Sequence, residues 1–155
     1  LAHPPFTRAA ARPARRELPQ SVARAYRRMK SRMRDASSQS AGVQRDIALH
    51  ETRKAAKRLR YATEAVIPAL GKPAKRLQRR LKKVQKLLGA HQDTAVSRPV
   101  LRELAAQAHL EGGNGFTYGL MHAVESARAQ RVERDLPAAW KRLRKPKNIK
   151  WLTRH

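Results

Sequence analysis

The stretch from Ile47 to Leu70 most constrains the fold of this chain, because its apolar residues recur at the spacing of an amphipathic helix. At about 100° per residue, one face of this helix is apolar, with small residues near its start and larger ones toward its end. Such a face is predicted to pack closely on neighbouring helices. It consists of Thr52, Ala55, Ala56, Leu59, Ala62, Thr63, Val66 and Leu70.

The opposite face of this helix is a row of basic side chains at helical spacing. We call this row the basic ladder; it contains His50, Arg53, Lys57 and Arg60, with Lys54 and Tyr61 at its edges. Solvated helix faces usually mix charge signs, because like charges three or four residues apart oppose helix formation. A row of cations therefore indicates either an anionic ligand lying against it or a basic face exposed to counter-ions.

The chain as a whole also has a large excess of basic over acidic residues. Its 155 residues include 36 Lys and Arg against 11 Asp and Glu, a formal net charge of +25. An excess of this size predicts a polyanionic partner, which could be a nucleic acid, an anionic membrane or a phosphate polymer. No apolar run approaches the roughly 20 residues that span a bilayer, so we expect a soluble protein without a membrane partner.

The residues that catalysis or metal binding would need are not grouped in the sequence. There is no cysteine, and the HETRK segment has Lys54 where a zinc protease needs its second histidine. His91, His109 and His122 are scattered, and no Gly-rich nucleotide-binding loop is present. We therefore predict a protein that is not an enzyme and needs no metal or cofactor.

Further amphipathic segments follow the same helical period, and none alternates as a strand does. A first helix is predicted over residues 19–36, and a third over residues 73–88 with Gly89 as its C-cap. Asp93 is predicted to cap a fourth helix, in which Pro99 marks a kink or a restart. A fifth helix is predicted over residues 116–135.

A last short helix is predicted to begin at Pro137 and to run through Leu143. The predicted fold class is all-α, a helical bundle with short connections. We divide the chain into an extended basic lead-in over residues 1–18, the bundle over residues 19–144 and a basic tail over residues 145–155.

The third predicted helix repeats the one-signed pattern, because the side opposite its apolar stripe is a second row of cations. That row contains Lys75, Arg79, Lys82, Lys83 and Lys86. His50 is predicted to lie near the N-terminal turn of its own helix, where the helix dipole favours an anion. A bound phosphate would favour the doubly protonated imidazole; the alternative role is a cap on a neighbouring carbonyl.

These motifs resemble the second half of the CHAD domain, the conserved histidine α-helical domain. The resemblance is carried by HETRKAAKRLRY, with His50, Arg53, Lys57, Arg60 and Tyr61 in the signature positions, and by LQRRLKKVQKLLGAHQD, with Leu88, Gly89 and Asp93. GFTYGLMHAVESARAQ also looks like the family's closing helix. The predicted match extends over about residues 45–143.

The resemblance implies two helical bundles related by a pseudo-twofold axis, with basic helix faces around a central cavity. It implies non-catalytic binding of inorganic polyphosphate and a cytoplasmic location at polyphosphate granules; some members are joined to a triphosphate tunnel domain. The signature occurs here once, and a chain that starts at Leu looks like a fragment. We therefore expect that the first bundle has been removed, or lies on another chain, or is replaced by a second copy.

We therefore predict a polyphosphate-binding surface in which arginines grip phosphate oxygens in forked pairs and lysines act as point charges. Its predicted residues are His50, Arg53, Lys54, Lys57, Arg60, Arg79, Lys82, Lys83 and Lys86. The alternative is non-specific binding to the backbone of DNA or RNA. The seven aromatic residues give little material for base stacking, which favours a ligand without bases.

Overall fold

The fold is a set of packed α-helices, as predicted. The structure is a computed structural model that describes residues 13–153, and within this range it contains no strand. The helices are α1 (Ala14–Ser38), α2 (Val43–Ala65), α3 (Ile67–Leu70), α4 (Lys72–Leu110), α5 (Phe116–Leu143) and α6 (Pro146–Ile149), followed by a 3-10 turn (Lys150–Leu152). The predicted all-α class is confirmed.

Three long helices enclose the core, with α2 packed against both α1 and α4. Leu59 of α2 and Leu81 of α4 are fully buried, and Met29 of α1 lies in the same apolar cluster. The predicted apolar face of the second helix is buried at Thr52, Ala55, Ala56, Leu59, Thr63 and Val66, and half-buried at Ala62 and Leu70. Burial of this face fixes which side of α2 remains for a ligand.

The first two helices begin earlier than predicted. Helix α1 begins at Ala14, so the last residues of the predicted lead-in are helical, and Pro19 lies buried inside the helix. Proline removes one amide hydrogen bond, and burial of Pro19 and Val22 outweighs that loss here. Helix α2 begins at Val43. Residues 1–12 and 154–155 lie outside the described residues, so the rest of the lead-in stays a prediction.

The chain break after α2 is a short turn of its own. Helix α2 ends at Ala65, before the predicted end at Pro68, and Pro68 lies within the single turn α3. Gly71 then takes φ 61° and ψ −123°, a conformation that residues with a side chain rarely adopt. This glycine lets the chain reverse so that α4 runs back along α2.

Helix α4 is continuous over 39 residues, so the predicted caps at Gly89 and Asp93 are wrong. The row of buried side chains continues beyond Gly89 through His91 and Leu101, and their packing stabilises the helical backbone there. Pro99 lies inside the helix on an exposed side and does not restart it.

The C-terminal part of the chain is also more ordered than its sequence predicts. Helix α5 continues through Pro137 to Leu143, so the predicted short last helix is part of α5. In the predicted tail, the buried side chain of Asn148 donates through Nδ2 to the carbonyl oxygens of Arg142 and Leu143, at 2.8 and 3.2 Å. Leu152 is buried in the core cluster. Residues 146–152 therefore belong to the packed bundle.

Candidate anion-binding groove

Two side-chain hydrogen bonds fix how α2 and α4 lie against each other. His50 Nδ1 lies 2.6 Å from Gln92 Oε1, and Gln78 Nε2 donates to Glu64 Oε1 at 3.0 Å. The earlier residue on α2 pairs with the later residue on α4, and the later with the earlier, which requires antiparallel helices. We call the surface between these two bonds, along the junction of α2 and α4, the groove; it extends over about four helical turns.

The basic ladder lies along the α2 edge of this groove. Residues three, seven and ten positions after His50 return to the same side of an α-helix, and these are Arg53, Lys57 and Arg60. By the antiparallel register they lie opposite Gly89, Gln85 and Lys82 of α4. The structure therefore brings the ladder to the junction of two helices and does not leave it on an isolated helix face.

Two cations of the ladder are free of acidic partners. Among residues 13–153, no carboxylate lies within 4 Å of a charged nitrogen of Arg53 or of Lys57. Because their charges are not neutralised inside the protein, they are available to an external anion. Arg53 is partly buried and Lys57 is exposed.

The other two predicted cations of α2 already have acidic neighbours. Lys54 forms an ion pair with Glu51, and its hydrogen bond to that carboxylate holds the pKa of Glu51 below its usual value. Arg60 Nε lies 3.7 Å from Glu64 Oε1. Both pairs are partly exposed, so they are weak and can be shared with a ligand.

Tyr61 lies among these cations. The guanidinium of Arg60 is 5.0 Å and the ammonium of Lys57 is 5.8 Å from the centre of its ring. Such cation–π contacts hold long basic side chains near the ring face. Tyr61 thus orients the cations at one end of the groove.

The second predicted basic row is divided between two surfaces. Lys82 lies four residues after Gln78 and therefore faces α2, and Lys86 lies at the rim one turn further on. Arg79 and Lys83 instead line a separate cavity of about 610 Å³ on the α6 side of the helix. The remaining lining residues of that cavity are Arg76, Arg80, Lys147 and Asn148.

His50 does not occupy the predicted first turn of its helix, because α2 begins seven residues earlier. The expected help from the helix dipole is therefore absent. With Gln92 Oε1 accepting, Nδ1 carries a hydrogen in the neutral ring, and Nε2 then has only a lone pair. A phosphate oxygen at Nε2 would require the protonated imidazole.

Sequence reasoning missed a charged cluster beneath one end of the groove. His91, predicted to lie in a connection, is 1% exposed, and its Nε2 lies 3.2 Å from Glu133 Oε1 and 3.5 Å from Asp46 Oδ1. Arg45 holds the other oxygen of Glu133 at 2.9 Å, and Arg98 holds that of Asp46 at 2.8 Å. No spacing in the sequence relates these five residues.

This cluster ties α2, α4 and α5 together. One nitrogen of His91 and one oxygen of each acid lie within 4.8 Å of one another, an arrangement that a metal ion could use. Each carboxylate is already paired with a guanidinium, however, and two adjacent arginines oppose a divalent cation. The arrangement fits an internal ion-pair network better than a metal centre.

A cavity of about 520 Å³ opens where the groove meets this cluster. It is lined on one side by Ile47 and His50 of α2, and on the other by Ala95 and Pro99 of α4, with His122 of α5. Pro99 has no amide hydrogen for the carbonyl of Ala95, four residues earlier.

The helices within residues 13–153 include no candidate for a membrane-spanning segment.

Comparison with known families gives a match to the first part of the chain. The sequence model of the CHAD domain matches residues 1–102, which include the whole basic ladder and the first part of α4. The predicted resemblance to the CHAD domain is therefore confirmed, and its assignment to the second half of the domain stays a prediction. The match extends further upstream than expected and does not include residues 103–143. CHAD domains in general are associated with polyphosphate binding and are generally non-catalytic.

Two curated relatives from Mycobacterium tuberculosis are similar to this chain: Uncharacterized protein Rv2226 and Uncharacterized protein MT2285. Each is 38% identical over 130 residues, which is 82% of this chain and 24% of the relative. The chain thus spans about a quarter of the length of these relatives. No solved structure matches it.

Proposed function

We propose that this chain, which belongs to the CHAD domain family, binds inorganic polyphosphate in the groove between α2 and α4 without catalysing a reaction. The observation that supports this most directly is the unneutralised pair Arg53 and Lys57, which lies one helical turn from the facing cations Arg60 and Lys82. Bringing like charges together costs free energy in the unliganded protein. A phosphate chain would remove that cost.

The groove suits a flexible anion with evenly spaced charges. Arg53 can hold two oxygens of one phosphate, while Lys57 and Lys82 act as point charges on the next units. Binding would release counter-ions from the polymer, as it does for nucleic acid backbones. The floor adds the neutral amides of Gln85 and Gln92, and Gly89 leaves room above α4, since a methyl group built there meets no atom within 4 Å.

Acidic side chains limit the groove at both ends. Glu64 lies beyond Arg60, and Asp46 lies one helical turn before His50. The ladder cations without an acidic partner, Arg53 and Lys57, lie between these two carboxylates, so the bound segment is expected to extend from about His50 to Arg60. Arg79 and Lys83 are outside this segment. We assign them to the separate basic cavity beside α6.

Binding to nucleic acid remains the second candidate, because the charge suits any phosphate backbone. Single-stranded bases need free aromatic faces for stacking. Among the described aromatic residues only Tyr61 lies beside the ladder, and its ring already contacts Arg60 and Lys57. Phe116 is exposed but lies on a part of α5 without basic neighbours. These placements favour a ligand without bases.

The cellular location and the missing first bundle are part of the same proposal. A protein that binds polyphosphate would be targeted to cytoplasmic polyphosphate granules. The first bundle expected from the CHAD resemblance would close the open side of the groove, whether it has been removed from this chain, lies on another chain or is replaced by a second copy.

Competition binding tests this function. We expect a labelled polyphosphate to remain bound when duplex or single-stranded nucleic acid is added at equal phosphate concentration and equal salt. Displacement by nucleic acid under these conditions would instead support the second candidate. Release of orthophosphate by the purified protein with a divalent metal would contradict the non-catalytic assignment.

A further inference from the structure

The far end of the α4–α5 pair carries an apolar surface that the bundle leaves uncovered. Val100 and Leu104 of α4 are exposed, and so are Leu120, Met121 and Val124 of α5. Half or more of the surface of Leu120, Met121 and Val124 is open to solvent. We call these five residues the apolar band. Isolated exposed apolar residues are ordinary, but a contiguous group of them marks an interaction surface.

The two helices place these residues side by side. Ser97 Oγ donates to Glu125 Oε2 at 3.3 Å, which brings one side of α4 against one side of α5. Val100 and Leu104 lie three and seven residues after Ser97, and Met121 lies four residues before Glu125, so all three lie near this contact. Val124 and Leu120 continue the band around the outside of α5.

The same region differs in charge from the rest of the protein. Between Arg102 and Arg128 the sequence contains no lysine or arginine, although the chain has 36 of them. The only charged side chains in this interval are Glu103, Glu111 and Glu125. This segment is thus slightly acidic in a protein whose net charge is +25, so it suits neither a polyanion nor an anionic lipid surface.

We propose that the apolar band is the contact surface between two copies of this chain. Copies of so basic a protein repel each other at most surfaces, but the band brings no cations together. In a twofold antiparallel arrangement, the acidic end of one α4–α5 pair would lie against Arg128, Arg131 and Arg134 near the base of the other. The four helices would form a bundle with the band as its core.

This inference does not rest on the proposed polyphosphate function, because it uses a different part of α4. It predicts a dimer in the absence of any ligand. It also predicts that added salt does not dissociate the dimer. Added ions screen the repulsion between the two basic copies and leave the apolar contact intact.

Sedimentation equilibrium of the 155-residue chain tests the proposal. We expect a monomer–dimer equilibrium with a Kd in roughly the micromolar range. The double variant Val100→Glu, Leu120→Glu should raise this Kd by more than about tenfold, because both substitutions place charge within the contact. Both positions are exposed, so the variant should fold, which circular dichroism checks.

Gln39→Glu with Gln44→Glu is the matched control. Both residues are exposed near the turn between α1 and α2, outside the band, and together the substitutions add the same two negative charges. The Kd of this variant should equal that of the parent protein. A chain that stays monomeric at about millimolar concentration would overturn the proposal. So would a dimer whose Kd is unaffected by charges at Val100 and Leu120.

Discussion

The two ends of α4 show how one helix serves two different purposes. Its first half carries lysines and arginines and packs by a leucine stripe into the core, so its exposed side is free for anions. Its second half has no cation after Arg102 and exposes Val100 and Leu104. The periodicity of the sequence is helical in both halves. What differs is which side the neighbouring helices cover.

This comparison separates stability from recognition. In the first half, removing apolar volume damages the core and reversing charge damages only ligand binding. In the second half, the exposed apolar residues contribute little to the folded monomer. Substitutions at matched positions therefore test whether the two halves differ as the structure indicates.

The largest difference is expected in stability. Leu81→Ala empties a fully buried site in the first half of α4 and should lower the free energy of unfolding by about 2–5 kcal/mol. Leu110→Ala, at a residue that is 86% exposed at the far end of α4, should change it by less than about 0.5 kcal/mol. Urea denaturation measures both. Equal losses would show that the far end of α4 is also buried in solution.

Charge reversal in the groove should have the next largest effect. Arg53→Glu together with Lys57→Glu should weaken polyphosphate binding about 100-fold, because two charge-assisted contacts become repulsive. Calorimetry at several salt concentrations would measure this, and the salt dependence should also decrease.

The matched control for this pair is Arg142→Glu with Arg144→Glu, which changes the net charge equally at exposed positions away from the groove. We expect a loss of less than about threefold from weaker long-range attraction. Similar losses in the two double variants would indicate diffuse binding over the whole basic surface.

Two glycines on the α4–α5 pair should respond to alanine with opposite signs. Gly89→Ala should stabilise the protein by about 0.5–1 kcal/mol, because Gly89 is helical and its side-chain position is open. At Gly115 a methyl group would lie 2.9 Å from the carbonyl oxygen of Ala105, so Gly115→Ala should destabilise. Thermal unfolding distinguishes the two, and a stabilising Gly115→Ala would show that the α4–α5 turn is looser than described.

The smallest effect is expected from His50. His50 lies at one end of the bound segment and its Nδ1 already contacts Gln92, so it can add at most one contact to a phosphate. His50→Gln should therefore weaken polyphosphate binding by no more than about threefold, which calorimetry measures. A loss as large as that of the Arg53 and Lys57 double variant would contradict this ranking.

Much of the fold follows from local pattern alone. The period of 3.6 residues, the one-signed ladder and the break around Gly71 were all readable from neighbouring residues. The errors in α4 and α5 share one cause. Gly89, Asp93 and Pro137 have the residue types of helix ends, yet packing along α4 and α5 holds them inside helices. Local preferences of about 1 kcal/mol are small beside the burial of several side chains.

In the candidate site, too, part of the arrangement follows from the sequence and part only from tertiary packing. The sequence determined that His50, Arg53, Lys57 and Arg60 share one helix face, because spacing along a helix fixes direction within it. Only the tertiary structure decided which cations of α4 lie next to that face of α2. Lys82 lies beside it, whereas Arg79 and Lys83 line the separate cavity beside α6. The tertiary structure alone brought Asp46, His91 and Glu133 together. Contacts between helices depend on how buried faces pack, and that information is spread over the whole chain.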